Sequence, residues 1–105
     1  MWEMTSYEIT EMHVVRWGEA KGIIQDSDSK TQLLKALSEM GELADAIIKR
    51  DRAGIIDGIG DVLVCLTMVA AIEDLDVKKC FAEAYEQIKN RTGKTNENGV
   101  FIKTA

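Results

Sequence analysis

Lys35-Ala36-Leu37-Ser38-Glu39-Met40-Gly41-Glu42-Leu43-Ala44-Asp45-Ala46-Ile47 reads as the middle of a long helix. At about 100° per residue, Leu34, Leu37, Gly41, Ala44 and Ile48 share one apolar face. Glu39 and Glu42 neighbour each other on a different face, roughly opposite the apolar one. Solvent is the usual neighbour of such a face. A second stretch, Asp57-Gly58-Ile59-Gly60-Asp61-Val62-Leu63-Val64, sets Asp57 and Asp61 one turn apart on another helix. Two helices that each present a pair of carboxylates are what a hard divalent cation such as Mg²⁺ needs.

The helix carrying Asp57 and Asp61 sharpens that reading. Ile55, Ile59, Leu63, Leu66 and Ala70 lie on one side of it, and Val64, Met68 and Ile72 accompany the aspartates on the other. A helix apolar nearly all round is expected to be buried. Burying an ionised carboxylate without compensation costs several kcal/mol, so a cation or a basic side chain is expected against the aspartates. Crowded carboxylates without a cation repel each other and hold their protons towards neutrality. Mg²⁺ commonly shares its shell with substrate phosphates. The cluster therefore points to water attack on a phosphate ester or phosphoanhydride, with the cation screening the charge on phosphorus oxygens. Lys35, one turn from Glu39, and Arg91, near the end of the last helix, are candidate bases for the outer phosphates.

Outward from this centre the chain reads as four helices in one domain over 1–105, at about 5–21, 30–49, 55–73 and 77–91. Thr5 with Glu8, and Ser29 with Gln32, fit capping boxes. Gly22 is a natural stop for the first helix. Residues 23–28 read as a loop, Asp51 and Gly54 as breaks, and Asp76 as the last N-cap. The last helix is expected to bury Phe81, Ala84, Tyr85 and Ile88 and to end at Gly93. In the tail, 94–105, Asn98-Gly99 marks a turn before an apolar end expected to pack on the domain or on another subunit. His13, the one histidine, reads as a surface or core-edge residue. Trp17 is either a core residue or a stacking surface for a planar base.

Composition narrows the partners. Among 105 residues there are 18 acids against 13 bases, a net charge of −5. That disfavours a nucleic-acid polymer or an anionic membrane as partner, but not a small anion held through a metal. Cys65 and Cys80 lack metal spacing and read as buried, reduced thiols of a cytoplasmic protein. No apolar run is expected to reach the ~18 residues that a membrane span requires, and the N-terminus lacks a signal-peptide layout. So short a helical chain is expected to complete its core by oligomerising.

Lys35…Leu37-Ser38-Glu39-Met40-Gly41-Glu42-Leu43, followed by Gly60-Asp61-Val62-Leu63, resembles the two motifs of the MazG-like nucleoside triphosphate pyrophosphohydrolases, E-E-x-x-E and then E-x-x-D. The closing Ala84-Tyr85…Ile88…Arg91…Gly93 and Asn98-Gly99-Val100-Phe101-Ile102-Lys103 resemble the short, single-domain, phage-type members. The resemblance implies an all-α NTP pyrophosphatase protomer that assembles as a dimer or tetramer. It implies Mg²⁺-dependent hydrolysis of a (deoxy)nucleoside triphosphate to monophosphate and pyrophosphate, with Mn²⁺ a possible substitute. Glu39, Glu42 and Asp61 fall on its catalytic and metal-binding positions, with Asp57 as helper. Lys35 and Arg91 fall on phosphate-contacting positions, and Trp17 would flank the base. Ser38 and Gly58 stand where two motif glutamates are expected. They leave open a nucleotide-binding or structural module with impaired catalysis. A dUTPase-like or phosphoribosyl-ATP pyrophosphohydrolase-like sister activity also stays open.

Overall fold

A computed structural model describes residues 6–104. The chain runs as α1 (Tyr7–Ala20), α2 (Ile23–Asp26), α3 (Ser29–Ile48), α4 (Arg52–Ile72) and α5 (Val77–Ile88), then a ribbon of β1 (Gly93–Thr95) and β2 (Phe101–Lys103). It is an all-α protein, as its sequence leads one to expect, with a three-residue antiparallel ribbon appended.

Side-chain caps set the helix starts. Ser6 caps α1, its hydroxyl accepting from the Ile9 N–H at 3.1 Å; the expected cap, Thr5, lies outside the described residues. Gly22 ends α1 with a left-handed φ of 78°, the conformation glycine adopts at no steric cost. Residues 23–28 are not a plain loop. Ile23–Asp26 form one helical turn, α2, placed by packing of Ile24 towards Gly18, which periodicity over four residues does not reveal. Asp28 rather than Ser29 caps α3, accepting from the Thr31 N–H at 2.7 Å. The Ser29 hydroxyl instead donates to the Glu73 carboxylate at the far end of α4.

The α3–α4 link has no glycine. Arg50 takes a left-handed φ of 55°, its N–H donates to the Ile47 carbonyl at 3.1 Å, and the Asp51 N–H donates to the Ala46 carbonyl at 2.9 Å. These are the two hydrogen bonds of a Schellman ending. Asp51 is then the N-cap of α4, accepting from Gly54 at 3.1 Å. The helix therefore starts three residues before the expected 55. This tight link folds α3 and α4 into an antiparallel pair, which is the main contact of the molecule.

Small residues hold the pair close. Ala36 and Ala46 of α3 are buried, and a Cβ built on Gly58 of α4 would stand 3.0 Å from the Leu43 Cβ. α1 crosses α4 where Gly18 meets Met68, the one large side chain fully buried among the described residues. Thr67 is also buried, its hydroxyl donating to the Leu63 carbonyl at 2.7 Å.

Several burial expectations are overturned. α5 covers none of its apolar side: Phe81, Ala84, Tyr85 and Ile88 are all exposed, as are Val100, Phe101 and Ile102 of the tail. α5 follows α4 after a short link through Leu75 and Asp76, and its contact with α4 is slight beside that of α3 with α4. It also ends at Ile88, short of 91. Cys65 is buried but Cys80 is exposed. α4 is only partly covered, with Gly58, Cys65, Thr67, Met68 and Ala70 its buried residues. It is long and apolar enough to cross a bilayer, which corrects the expectation that no such run exists.

The start of α5 is tied to α1. The Lys78 N–H donates to Asp76 Oδ1 and to Glu11 Oε2, both at 3.0 Å, and Lys78 Nζ donates to Glu11 Oε1 at 3.4 Å. The Lys78 ammonium beside Asp76 holds the Asp76 carboxyl below the usual carboxylate range. A lowered acid stabilises the fold above its unfolded value, and that gain is lost as pH falls through the folded value. Asp76→Asn keeps the cap but not the charge. It is expected to flatten the dependence of Tm on pH below about pH 4 and to lower Tm modestly at neutrality, both read by thermal melts across pH.

Candidate functional site

Glu39 does not face open solvent, and Glu42, though exposed, lines the same groove. The strip of α3 laid against α4 contains Ala36, Glu39, Leu43 and Ala46, and Glu42 stands at its edge. The helix is turned so that its acidic side meets α4 while its broad apolar side, with Leu34, Leu37 and Ile48, is exposed. Alanine and glycine at the contact allow the close approach, and the close approach lets acids from both helices share one groove.

That groove is a cavity of about 280 Å³ lined by Glu39, Glu42, Asp45, Asp51, Asp57 and Asp61, with Lys49 and the helix surface around Gly54 and Gly58. The four expected acids are therefore brought together, and Asp45 and Asp51 join them. Asp45 was visible in the sequence as the next acid, three residues after Glu42. Asp51 arrives because capping α4 fixes it at the groove's end.

The electrostatics are those of crowded anions. Lys35 Nζ lies 3.2 Å from Glu39 Oε1, one turn along α3, and holds the Glu39 carboxyl below its ordinary value. The Glu39 side chain is only 13% exposed. Glu42 lies against Glu39, whose hydrogen bond and charge push the Glu42 carboxyl up. Burial, followed by the charges of Asp57 and Glu39, raises Asp61. Lys49 is taken by Asp45 at 2.9 Å. Two lysines, each paired, thus face six acids.

Hard oxygen donors without enough positive charge among them are a donor set suited to Mg²⁺ or Mn²⁺. Among the described residues no three such side chains are already drawn tightly enough together to hold an ion. Glu39 would have to turn from Lys35 to join a shell.

Arg91 and Trp17 do not line this groove. Arg91 follows the end of α5 and Trp17 is an exposed residue of α1. His13, also exposed, does not line it either. A larger groove of about 610 Å³ adjoins on the α1 side, lined by Tyr7, Thr10, Val14 and Leu63 among others, and it shares Asp57 and Asp61 with the acidic one.

Residues 27–95, which span α3, α4 and α5, match the family model of the MazG nucleotide pyrophosphohydrolase domain. The chain belongs to this family. Ser38 is exposed on α3, while Gly58 is buried against Leu43. The chain is also 30% identical over 64 residues to an 18.2 kDa protein of Haemophilus phage HP1 encoded in the rep-hol intergenic region. That match takes in 61% of this chain and 39% of the relative, so the chain spans about two fifths of the relative's length. Among solved structures, a cyanophage S-2L MazG-like pyrophosphohydrolase bound to dGDP and three catalytic Mn²⁺ ions superposes with a TM-score of 0.68. At 20% identity over 97% of this chain and all of that one, it shows the shared fold.

Proposed function

We propose that this MazG-family chain hydrolyses nucleoside triphosphates, deoxynucleotides included, to the monophosphate and pyrophosphate, with Mg²⁺ as the cellular cation and Mn²⁺ able to replace it. The observation that carries this is the shared groove of Glu39, Glu42, Asp57 and Asp61, in which Glu42 is pushed up by Glu39 and Asp61 by burial and then by the charges of Asp57 and Glu39. The cyanophage structure, with dGDP and Mn²⁺, supports the same reading.

Glu39, Glu42 and Asp61 would hold the cation and Asp57 would assist. When bound, the cation neutralises charge on the triphosphate and on the departing pyrophosphate. With Glu39 holding the cation, Lys35, now paired with Glu39 at 3.2 Å, would be free to contact an outer phosphate. The Ala36, Ala46 and Gly58 contact keeps the two helices that bear the carboxylates in fixed register, so that the rearrangement needed is one of side chains, Glu39 turning from Lys35. The chain's negative charge and its solvated acids fit a cytoplasmic protein without a nucleic-acid polymer or a membrane as partner. The two aspartates on α4 argue against a bilayer as its covering.

Pyrophosphate release from a panel of NTPs and dNTPs, dUTP and phosphoribosyl-ATP included, tests the proposal. Turnover is expected with Mg²⁺ or Mn²⁺, loss to background in EDTA, and recovery on adding metal back. No release from any substrate with either metal refutes it. A second reading, a nucleotide binder with weak turnover, is favoured by the buried Gly58 and by the Lys35–Glu39 pair. A nucleotide that raises Tm in the presence of metal but stays intact would select that reading. Preferential cleavage of dUTP or phosphoribosyl-ATP would select a sister activity.

A further inference from the structure

Where α3 turns into α4, at one end of the acidic groove, we infer an anchor for the terminal phosphates of the substrate, made by Lys49, Arg50 and Arg52. The turn puts three bases into four residues. Lys49 lines the groove together with Asp45, Asp51 and Gly54. Arg50 and Arg52 are its exposed neighbours in the chain, and among the described residues neither guanidinium is in an ion pair. The acids nearest in sequence are already engaged, Asp45 by Lys49 at 2.9 Å and Asp51 by the Gly54 N–H at 3.1 Å. In a chain of net charge −5, two arginines without acid partners at the mouth of an acidic groove call for an anion from outside.

The backbone of the turn points the same way. Arg50 has a φ of 55°. After a helix with a Schellman ending that position ordinarily holds glycine, which takes a left-handed φ without strain. Two described residues other than glycine have such a φ, Arg50 and Asp74. Aspartate is among the side chains that tolerate it, and arginine is not. An exposed arginine that strains its backbone and pairs with nothing contributes nothing to the fold, whereas its planar guanidinium matches a phosphate bidentately. Position decides which phosphates. Lys49 stands two turns beyond Glu42, about 10 Å along α3, while Lys35 lies on the other side of Glu39. Phosphates held over Glu39, Glu42 and Asp61 therefore lie between the two lysines. The groove on the α1 side, which shares Asp57 and Asp61, has no base in its lining. The terminal phosphates accordingly run the other way, to the turn. The identity of this ligand rests on the proposed hydrolysis.

Inorganic tripolyphosphate, which carries the phosphates and no nucleoside, is the probe. Calorimetry in Mg²⁺ is expected to show it binding the wild-type protein, and Arg50→Gly combined with Arg52→Gln is expected to weaken it about tenfold or more. Affinity for a nucleoside monophosphate, which has no terminal phosphates to place at the turn, is expected to stay within about twofold. The same holds for tripolyphosphate after Lys94→Gln combined with Lys103→Gln, which removes equal charge from the ribbon. Arg50→Gly alone is expected to raise Tm while weakening tripolyphosphate, a pairing that loss of a merely structural residue does not produce. A wild type that ignores tripolyphosphate, or a turn variant that binds it as the parent does, overturns the inference. So does an equal loss with the monophosphate or in the ribbon variant, or an Arg50→Gly protein that melts lower than the parent. Failure here is separable from failure of the proposed hydrolysis. Tripolyphosphate binding that the turn variant loses, in a protein that releases no pyrophosphate from any nucleotide, sinks the hydrolysis and keeps the anchor. Turnover with an unchanged KM in the turn variant does the reverse.

Discussion

Asp61→Asn is expected to cut pyrophosphate release on the order of 10³-fold and, in metal-free buffer, to raise the melting temperature. The two effects have one cause. Asp61 lies in the groove with Glu39, Glu42 and Asp57, and burial together with the charges of Asp57 and Glu39 lifts its carboxyl above the ordinary range. An acid raised in the folded state destabilises the fold once ionised, so its cost grows as pH climbs from the unfolded value, about 4, through the folded one. Asparagine keeps the shape and removes the charge. Its advantage in Tm should be small at about pH 4 and larger at neutrality. Saturating Mg²⁺ should erase that advantage, because the parent then gains the stabilisation of a bound ligand and the variant gains less. An Asp61→Asn protein that melts lower than the parent without metal, or that turns over at the parental rate, contradicts the site.

Gly58→Glu is expected to destabilise the protein by about 1–3 kcal/mol and to lower activity, although a glutamate is what the resemblance leads one to expect there. A Cβ at this position would meet the Leu43 Cβ at 3.0 Å, Cδ1 at 3.1 Å and Cα at 3.2 Å. The last of these belongs to backbone and cannot rotate away. Replacing a helix-interior glycine ordinarily gains roughly 0.5–1 kcal/mol, and here the collision outweighs that gain. Ser38→Glu provides the contrast. Ser38 is exposed on α3, so the longer side chain has room, and Tm should change little. Equilibrium denaturation of the two variants checks this. A Gly58→Glu protein as stable as the parent would mean that α3 and α4 are not in close contact there.

The helices and the acids were legible from spacing, because carboxylates three and four residues apart share a helix face wherever that face turns. Its direction was not legible. Periodicity puts Leu34, Leu37 and Ile48 on the broad apolar side of α3 and so suggests that this side is buried, yet the strip that meets α4 is the narrow one with Ala36, Glu39, Leu43 and Ala46. A pattern reports which residues share a face, and it does not report whether the partner lies within the chain. The same ambiguity governs α5, whose Phe81, Tyr85 and Ile88 have the spacing of a core face and are exposed. Capping decided the boundaries that spacing missed. Asp28 and Asp51 each accept a backbone N–H and begin a helix at places that had read as an end of loop and as a break. The turn at Arg50 carried no glycine to announce it.

Anomalous diffraction from crystals grown or soaked in millimolar Mn²⁺ tests the central claim most directly. The account predicts at least one manganese peak between α3 and α4 within ligating distance of Glu39, Glu42 and Asp61, with Glu39 turned away from Lys35. A groove without a peak, its acids turned into bulk solvent or still paired with Lys35 and Lys49, would contradict it.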